Sequence, residues 1–143
     1  MLTVALRFAE NFAPETGTIA EHENVLSQYG SVWYGKLGTP LSQKIINSIL
    51  SNPNPRILLI RSGRTERYWL YVSDIKRDRP ESSLIPKYYR DQADSFKTWF
   101  KVTRIILAEK GISSHCTVHS SGRPLSEVSR HSLSPYFIID APD

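Results

Sequence analysis

The stretch from residue 56 to 75, RILLIRSGRTERYWLYVSDI, leaves the chain few folds to choose from. An apolar run, a polar turn built on GRTE, and a second run of aromatic and β-branched residues together predict an antiparallel hairpin. A lone hairpin is marginal in water, so further strands must join it to bury a face. The chain supplies them. TVALRFA (3–9) alternates, with Val4, Leu6 and Phe8 on one side, and SVWYGK (31–36) and FKTWFKVTRIIL (96–107) read as two more strands. SHCTVHSS and PYFIID read as the closing strands, joined by a Ser-, Gly- and Arg-rich loop.

Between strands the period changes to that of a helix. Ile19, His22, Leu26 and Tyr29 recur at helical intervals, and Thr18 with Glu21 has capping-box spacing, which predicts a helix over 19–28. Leu41, Ile45, Ile46, Ile49 and Leu50 form a second stripe. Thr39-Pro40 is read as its start, with proline at the first helical position, and Asn52-Pro53 stops it. DRPESSLIP reads as loop and YYRDQADSF as a place for one more helical turn. The order is strand, helix, strand, helix, then mostly strands. It predicts an α+β fold on a curled, mostly antiparallel sheet with two to three flanking helices.

At 143 residues the chain is expected to be a single domain, 1–143, and its tight ends would also suit a module cut from a longer protein. No apolar run approaches the ~18 residues of a membrane span, so no membrane partner is expected. The N-terminus lacks the basic flank and cleavage site of a signal peptide, and one cysteine, Cys116, allows no intrachain disulfide. A cytoplasmic setting follows as the expectation. Net charge is +4, but it is unevenly spread: residues 56–104 hold twelve Lys/Arg against six Asp/Glu. A basic middle between mildly acidic flanks points to a polyanion partner, or else to a merely solvated hairpin.

Strand parity sorts the aromatic residues by face. With Val32 and Tyr34 toward the core, Trp33 points away with Ser31 and Gly35. With Phe96, Phe100 and Val102 inward, Trp99 lies outward between Lys97 and Lys101. Trp69 and Tyr71 share the face opposite Tyr68, Leu70 and Val72, and Trp69 can be read either way. An outward indole has two readings: a wall on which a nucleobase stacks, or ordinary core packed under the following helix. Lys97-Trp99-Lys101 has the basic–aromatic interleaving of a nucleic-acid surface, and equally that of a sheet face covered by lysine stems.

Catalytic signals are weak. His115, Cys116 and His119 alternate across two faces with no second ligand pair, which argues against zinc. His131 beside Glu127 lacks a nucleophile elbow, SSGRP lacks the lysine of a phosphate loop, and Asp74, Asp78 and Glu81 have no metal-nuclease spacing. The sequence supports no catalytic residue, metal or cofactor.

The ordered pattern resembles the EVE/YTH branch of the PUA-like superfamily. The residues that carry the likeness are the Val32-Trp33 strand before a helix, the hairpin RILLIRSGRTERYWLYVSDI, and the later strand SFKTWFKVTRI, over about residues 3–107. The resemblance implies a small curled β-barrel with flanking helices and a pocket for one flipped, modified base. It places Trp33 as one wall of an aromatic cage. The second wall comes from the segment before SFKTWF, which here offers Tyr88 and Tyr89 and no tryptophan, a departure from the family pattern. Tyr34 and Trp69 are further aromatic candidates, and Asn11 or Glu10, just after the first strand, fits the polar residue that binds the base edge. Phosphate contacts are expected from Lys36, from Arg61, Arg64 and Arg67 around the hairpin turn, from Lys76, Arg77 and Arg79 beyond it, and from Lys97 and Lys101. The partner implied is double-stranded DNA carrying a methylated base. Relatives of this kind serve as reading domains of McrB-type modification-dependent restriction systems, beside a motor GTPase and a nuclease. The alternatives are a methylated-RNA reader of the same fold, a small ASCH-type enzyme acting on modified nucleosides, and a domain whose basic hairpin meets an acidic protein.

Overall fold

The hairpin that constrains the sequence sits at the middle of one sheet. A computed structural model describes residues 1–8, 17–61 and 66–143 of the chain. Among these, the strands are β1 (Leu2–Phe8), β2 (Val32–Leu37), β3 (Arg56–Arg61), β4 (Arg67–Lys76), β5 (Phe96–Leu107), β6 (Thr117–Val118) and β7 (Tyr136–Asp140). They form a single sheet in the order β2-β5-β4-β3-β1-β7-β6. β1 and β3 run parallel, Phe8 opposite Arg61, and every other pairing is antiparallel. The fold is α+β on a curled, mostly antiparallel sheet.

The curl is measurable from one contact. β2 and β7 stand five strands apart, which in a flat sheet would be roughly 24 Å at ~4.8 Å per strand. Yet the Lys36 ammonium on β2 lies 4.1 Å from the centre of the Tyr136 ring on β7. The sheet therefore bends until its β2 edge faces β1 and β7 across a seam. Irregular register in β4 and β5, between Tyr71 and Asp74, supplies extra twist where the bend is needed.

Helices α1 (Thr18–Tyr29) and α2 (Gln43–Leu50) cover the concave face, whose core holds Val4, Leu6, Val32, Ile57, Leu70, Phe100 and Val102. Ile46 and Ile49 of α2 are fully buried there, each worth about 1.5–3 kcal/mol. The opposite face is covered in two pieces. Over β1, β3, β4 and β7 lie α4 (Leu125–Arg130) and a 3-10 turn, Ile112–His115, enclosing Leu58, Trp69, Cys116, Phe137 and Ile139. Over β2 and β5 lies the short helix α3 (Lys87–Arg90), flanked by 3-10 turns at Ser82–Leu84 and Ala93–Ser95. It encloses Trp33, Ile85, Tyr89, Ala93, Phe96 and Trp99.

Four local expectations are corrected. Gly17, at φ 92°, takes the cap position of α1, so Thr18 is its first helical residue and not its cap. α2 begins at Gln43 and not at Pro40: Leu41 is drawn into the core, its N–H donates to Thr98 Oγ1 at 3.1 Å, and Ser42 caps the helix by accepting from the Ile45 N–H. The segment read as a Ser-, Gly- and Arg-rich loop contains α4, anchored by the fully buried Leu125, with Arg123 and Glu127 paired across one turn. The closing strand expected across SHCTVHSS shrinks to Thr117–Val118.

Candidate nucleic-acid interface

The seam left by the curled sheet is the place to look for a ligand. Tyr34 and Lys36 lie on one face of β2, and Leu6 and Phe8 approach from β1. Between them is a cavity of about 110 Å³, also lined by Gly35, Tyr89 and Phe96. Gly35 makes this geometry possible. A Cβ built there would stand 2.6 Å from Phe96 Cγ, so only glycine lets the Phe96 ring lie down on β2. Phe96 stacks on Tyr89 with ring centres 4.6 Å apart at 29°, and meets Trp99 edge-on at 5.3 Å. The register shift between Lys36 and Leu37, opposite Thr98 and Phe96, turns the start of β5 toward the seam.

Behind the aromatic wall sits His22 of α1. Its ring centre is 4.9 Å from that of Tyr89 and 5.2 Å from that of Tyr34. Nδ1 lies 2.8 Å from the Thr18 carbonyl oxygen, which can only accept, so Nδ1 carries the proton and Nε2 a lone pair. Nε2 has no partner among the described residues. Burial strips the ring of hydration and holds its pKa down to about 4, against the raising effect of the Thr18 hydrogen bond. His22 is a neutral, fixed prop against which two cavity tyrosines rest.

Lys36 is one of two charged side chains that line the cavity. It is only 5 % exposed, donates to the Leu37 and Thr39 carbonyl oxygens at 3.1 and 2.6 Å, and has its pKa lowered by burial. Arg7 also lines the cavity, but its guanidinium donates to the carbonyls of Ser129, Ser132 and Ser134 and so pins the segment that leads into β7.

A second, wider hollow of about 750 Å³ adjoins the first along the chain: Phe96 lines one and Lys97 the other, Leu37 one and Pro40 the other. Lys76, Arg77, Arg79 and Lys97 line it against a single acidic residue, Asp78. Arg79 is paired with Asp94 at 3.0 Å, and Lys97 donates to the Asp94 carbonyl oxygen at 3.2 Å.

Set against this geometry, the expected site residues divide. Tyr34 and Tyr89 line the cavity, and Lys36, expected on phosphates, lines it too. Trp33 is a correction: it is 5 % exposed in the cluster with Ile85, Ala93 and Trp99, covered by α3, and is not among the cavity's lining residues. Tyr88 packs against that same cluster. Trp69 is a second correction, being wholly buried in the other core with the Arg56 guanidinium 3.8 Å from its ring centre. Lys76, Arg77 and Lys97 share the groove, while Lys101 stands opposite Trp33 on one side and Asp74 on the other. The hairpin arginines are elsewhere. Arg67 lies nine residues from Lys76 on β4, roughly 30 Å of extended strand. Its Nε donates to Ser113 Oγ at 3.2 Å, and burial with Arg7 nearby lowers its pKa. Arg61 ends β3 beside Phe8. Asn11, Glu10 and Arg64 lie outside the described residues. The Cys116 thiol is fully buried and pushed up to about 11, chiefly by that burial, and His119 pairs with Asp140 at 2.9 Å.

Phe8, Phe96 and His22 were not foreseen as part of the site. Phe8 and Phe96 carry the same alternation as core residues, and nothing in that pattern says they border a hollow.

A family model for Pua-like domains matches residues 4–140, nearly the whole chain. The chain belongs to the Pua-like family. Membership places this Pua-like domain among RNA- and DNA-binding modules and makes nucleic acid its general class of partner. No curated protein and no solved structure matches the sequence. No helix among the described residues is long and apolar enough to cross a membrane.

Proposed function

We propose that this Pua-like domain reads one modified nucleobase, flipped out of double-stranded DNA and seated in the seam cavity, while the adjoining groove holds the flanking phosphates. The observation that carries the reading is the juxtaposition along the chain: Phe96 lines a one-ring aromatic hollow with Tyr34 and Tyr89, and the next residue, Lys97, lines a groove with four basic side chains and one acidic. A duplex hides its base edges, so reading a modification requires extrusion at a cost of a few kcal/mol. Stacking on the tyrosines and Phe96 returns ~1–3 kcal/mol per contact, and a buried methyl group about 1 kcal/mol more. The resemblance to the EVE/YTH branch supports a methylated base, and with it a cytoplasmic role as the reading domain of a modification-dependent restriction system, a motor GTPase and a nuclease acting beside it.

The reading is a binding function without turnover. Titrations of methylated and unmodified duplexes at two salt concentrations test it. The methylated duplex is expected to bind about fivefold tighter, the worth of one buried methyl. Both affinities should fall steeply with salt as counterions return to the phosphates. Equal affinity for both duplexes would leave only non-specific electrostatics, and tighter binding of methylated RNA would transfer the reading to that polymer. Hydrolysis of N4-acetylcytidine would replace it with the ASCH-type enzyme.

A further inference from the structure

The cavity's one buried ammonium has a donor to spare. A lysine ammonium has three N–H groups. In Lys36 two donate to the Leu37 and Thr39 carbonyl oxygens, and the third has no hydrogen-bond acceptor among the described residues. The Tyr136 ring, 4.1 Å away, steadies the charge through its π-face. Lys36 has no carboxylate within ion-pair distance among the described residues. Keeping a charge this dry with no anionic neighbour among the described residues is costly unless something completes its shell. The remaining walls offer aromatic and aliphatic surface, and Arg7, the other cation, is held by three backbone carbonyls.

Size narrows what could complete it. At about 110 Å³ the cavity is somewhat smaller than the ~150 Å³ apolar cavity known to take up benzene. Partly open to the outside, it is on the scale of one six-membered ring and below that of a fused pair. We propose that Lys36 is a specificity-determining residue of this site, its third N–H donating to a carbonyl oxygen on the edge of a single six-membered ring, so that the pocket selects a pyrimidine and rejects a purine. The inference deepens the base-reading proposal and rests on it.

The test uses the whole chain and short duplexes that differ at one central nucleotide set opposite an abasic site, so that extrusion breaks no base pair in any of them. The central positions are thymine, 5-methylcytosine, N6-methyladenine, difluorotoluene (which has the shape of thymine without its carbonyl oxygens) and a second abasic site. Wild-type protein is expected to bind thymine and 5-methylcytosine roughly ten- to hundredfold tighter than difluorotoluene, the range for a hydrogen bond from a charged donor. N6-methyladenine should bind no better than the abasic control. Lys36→Met keeps the apolar stem and removes the donor, and should bind thymine and difluorotoluene alike. A structural role for Lys36 would leave that ratio untouched. Should the variant fail to fold, the thymine-to-difluorotoluene ratio of the wild type still decides. Wild-type preference for a central base that survives in Lys36→Met, or a preference for N6-methyladenine, overturns the Lys36 inference and leaves base reading standing. If every central base binds like the abasic control, base reading itself falls.

Discussion

Trp33 and Tyr34 are neighbours on β2 and have opposite fates. Tyr34 points to the concave face and borders the seam cavity, while Trp33 points the other way and is sealed under α3 with Trp99 and Ile85. Alternation along a strand told the two apart correctly: one belongs with Val32, the other with Gly35. What alternation could not say is which side would stay open. That depends on where the rest of the chain is laid. The α3 segment covers the outer side, and the incomplete meeting of β2 with β1 and β7 leaves a gap on the inner one. An aromatic opposite the best apolar stripe is thus no sign of exposure when a later segment has a Tyr89 and an Ile85 to place over it.

The comparison breaks most sharply at Trp33. Trp33→Ala removes a large buried side chain from a closed cluster and should cost about 3–5 kcal/mol of stability, a large fraction of what a domain of this size has. Denaturant unfolding measures it. A variant as stable as wild type that has lost only base preference would return Trp33 to the role of a cage wall.

Tyr34 and Tyr89 lean on His22, and the prop has a pH signature. Its pKa of about 4 in the fold lies below the 6.5 of the free side chain. Above pH 6.5 the ring is neutral in both states and the term vanishes. Between 6.5 and 4 the unfolded chain takes up a proton that the folded one refuses, so stability falls as pH drops, by roughly 3 kcal/mol in all. Melting of wild type against His22→Gln over this window isolates the term from that of the carboxylates. The variant should show a shallower decline. Parallel curves would mean that His22 charges freely and is not the dry prop described.

Gly35 joins the two regions, since its missing side chain lets Phe96 border the cavity while it packs against Trp99 in the cluster under α3. Gly35→Ala puts a methyl 2.6 Å from the ring and forces Phe96 to move, an overpacking cost of about 1–3 kcal/mol. The displaced ring should also blunt discrimination between methylated and unmodified duplex. Retained stability with unchanged discrimination would show that the seam adapts and that Phe96 is not fixed by Gly35.

Legibility in the sequence follows the range of the interactions. The hairpin and the span 96–107 of β5 were readable because strand alternation is local, and so was the α2 stripe of Ile46 and Ile49. The start of α2 was not, because Leu41 answers to Thr98, 57 residues away, and not to Pro40. α4 was hidden in a serine-rich segment whose anchor, Leu125, has its reason in Cys116 and Phe137. The cavity is assembled from β1, β2, β5 and α3, so Phe8 and Phe96 could be recognised as apolar but not as bordering a hollow, and Tyr34 and Tyr89 were named for a pocket only through the family resemblance. Lys36 illustrates the same limit from the polar side: its charge suggested phosphate, and only the curl that brings Tyr136 beneath it shows a buried donor.

The smallest expected effect separates the two basic ends of β4. Arg67, at the hairpin end, donates to Ser113 Oγ and the Glu66 carbonyl oxygen, and its side chain is partly buried. Arg77, in the groove beyond the other end, makes no hydrogen bond or ion pair among the described residues and lines the groove with Lys76 and Lys97. Arg77→Ala should therefore weaken binding of methylated and unmodified duplexes by the same factor and lower the salt slope by about one unit, with stability changed by less than ~0.5 kcal/mol. Arg67→Ala should do the reverse, leaving the salt slope alone and costing about 1 kcal/mol of stability through its lost hydrogen bonds. If Arg67→Ala lowers the slope as much as Arg77→Ala does, the phosphate track runs to the hairpin turn, and the groove beside the cavity is only part of a longer basic surface.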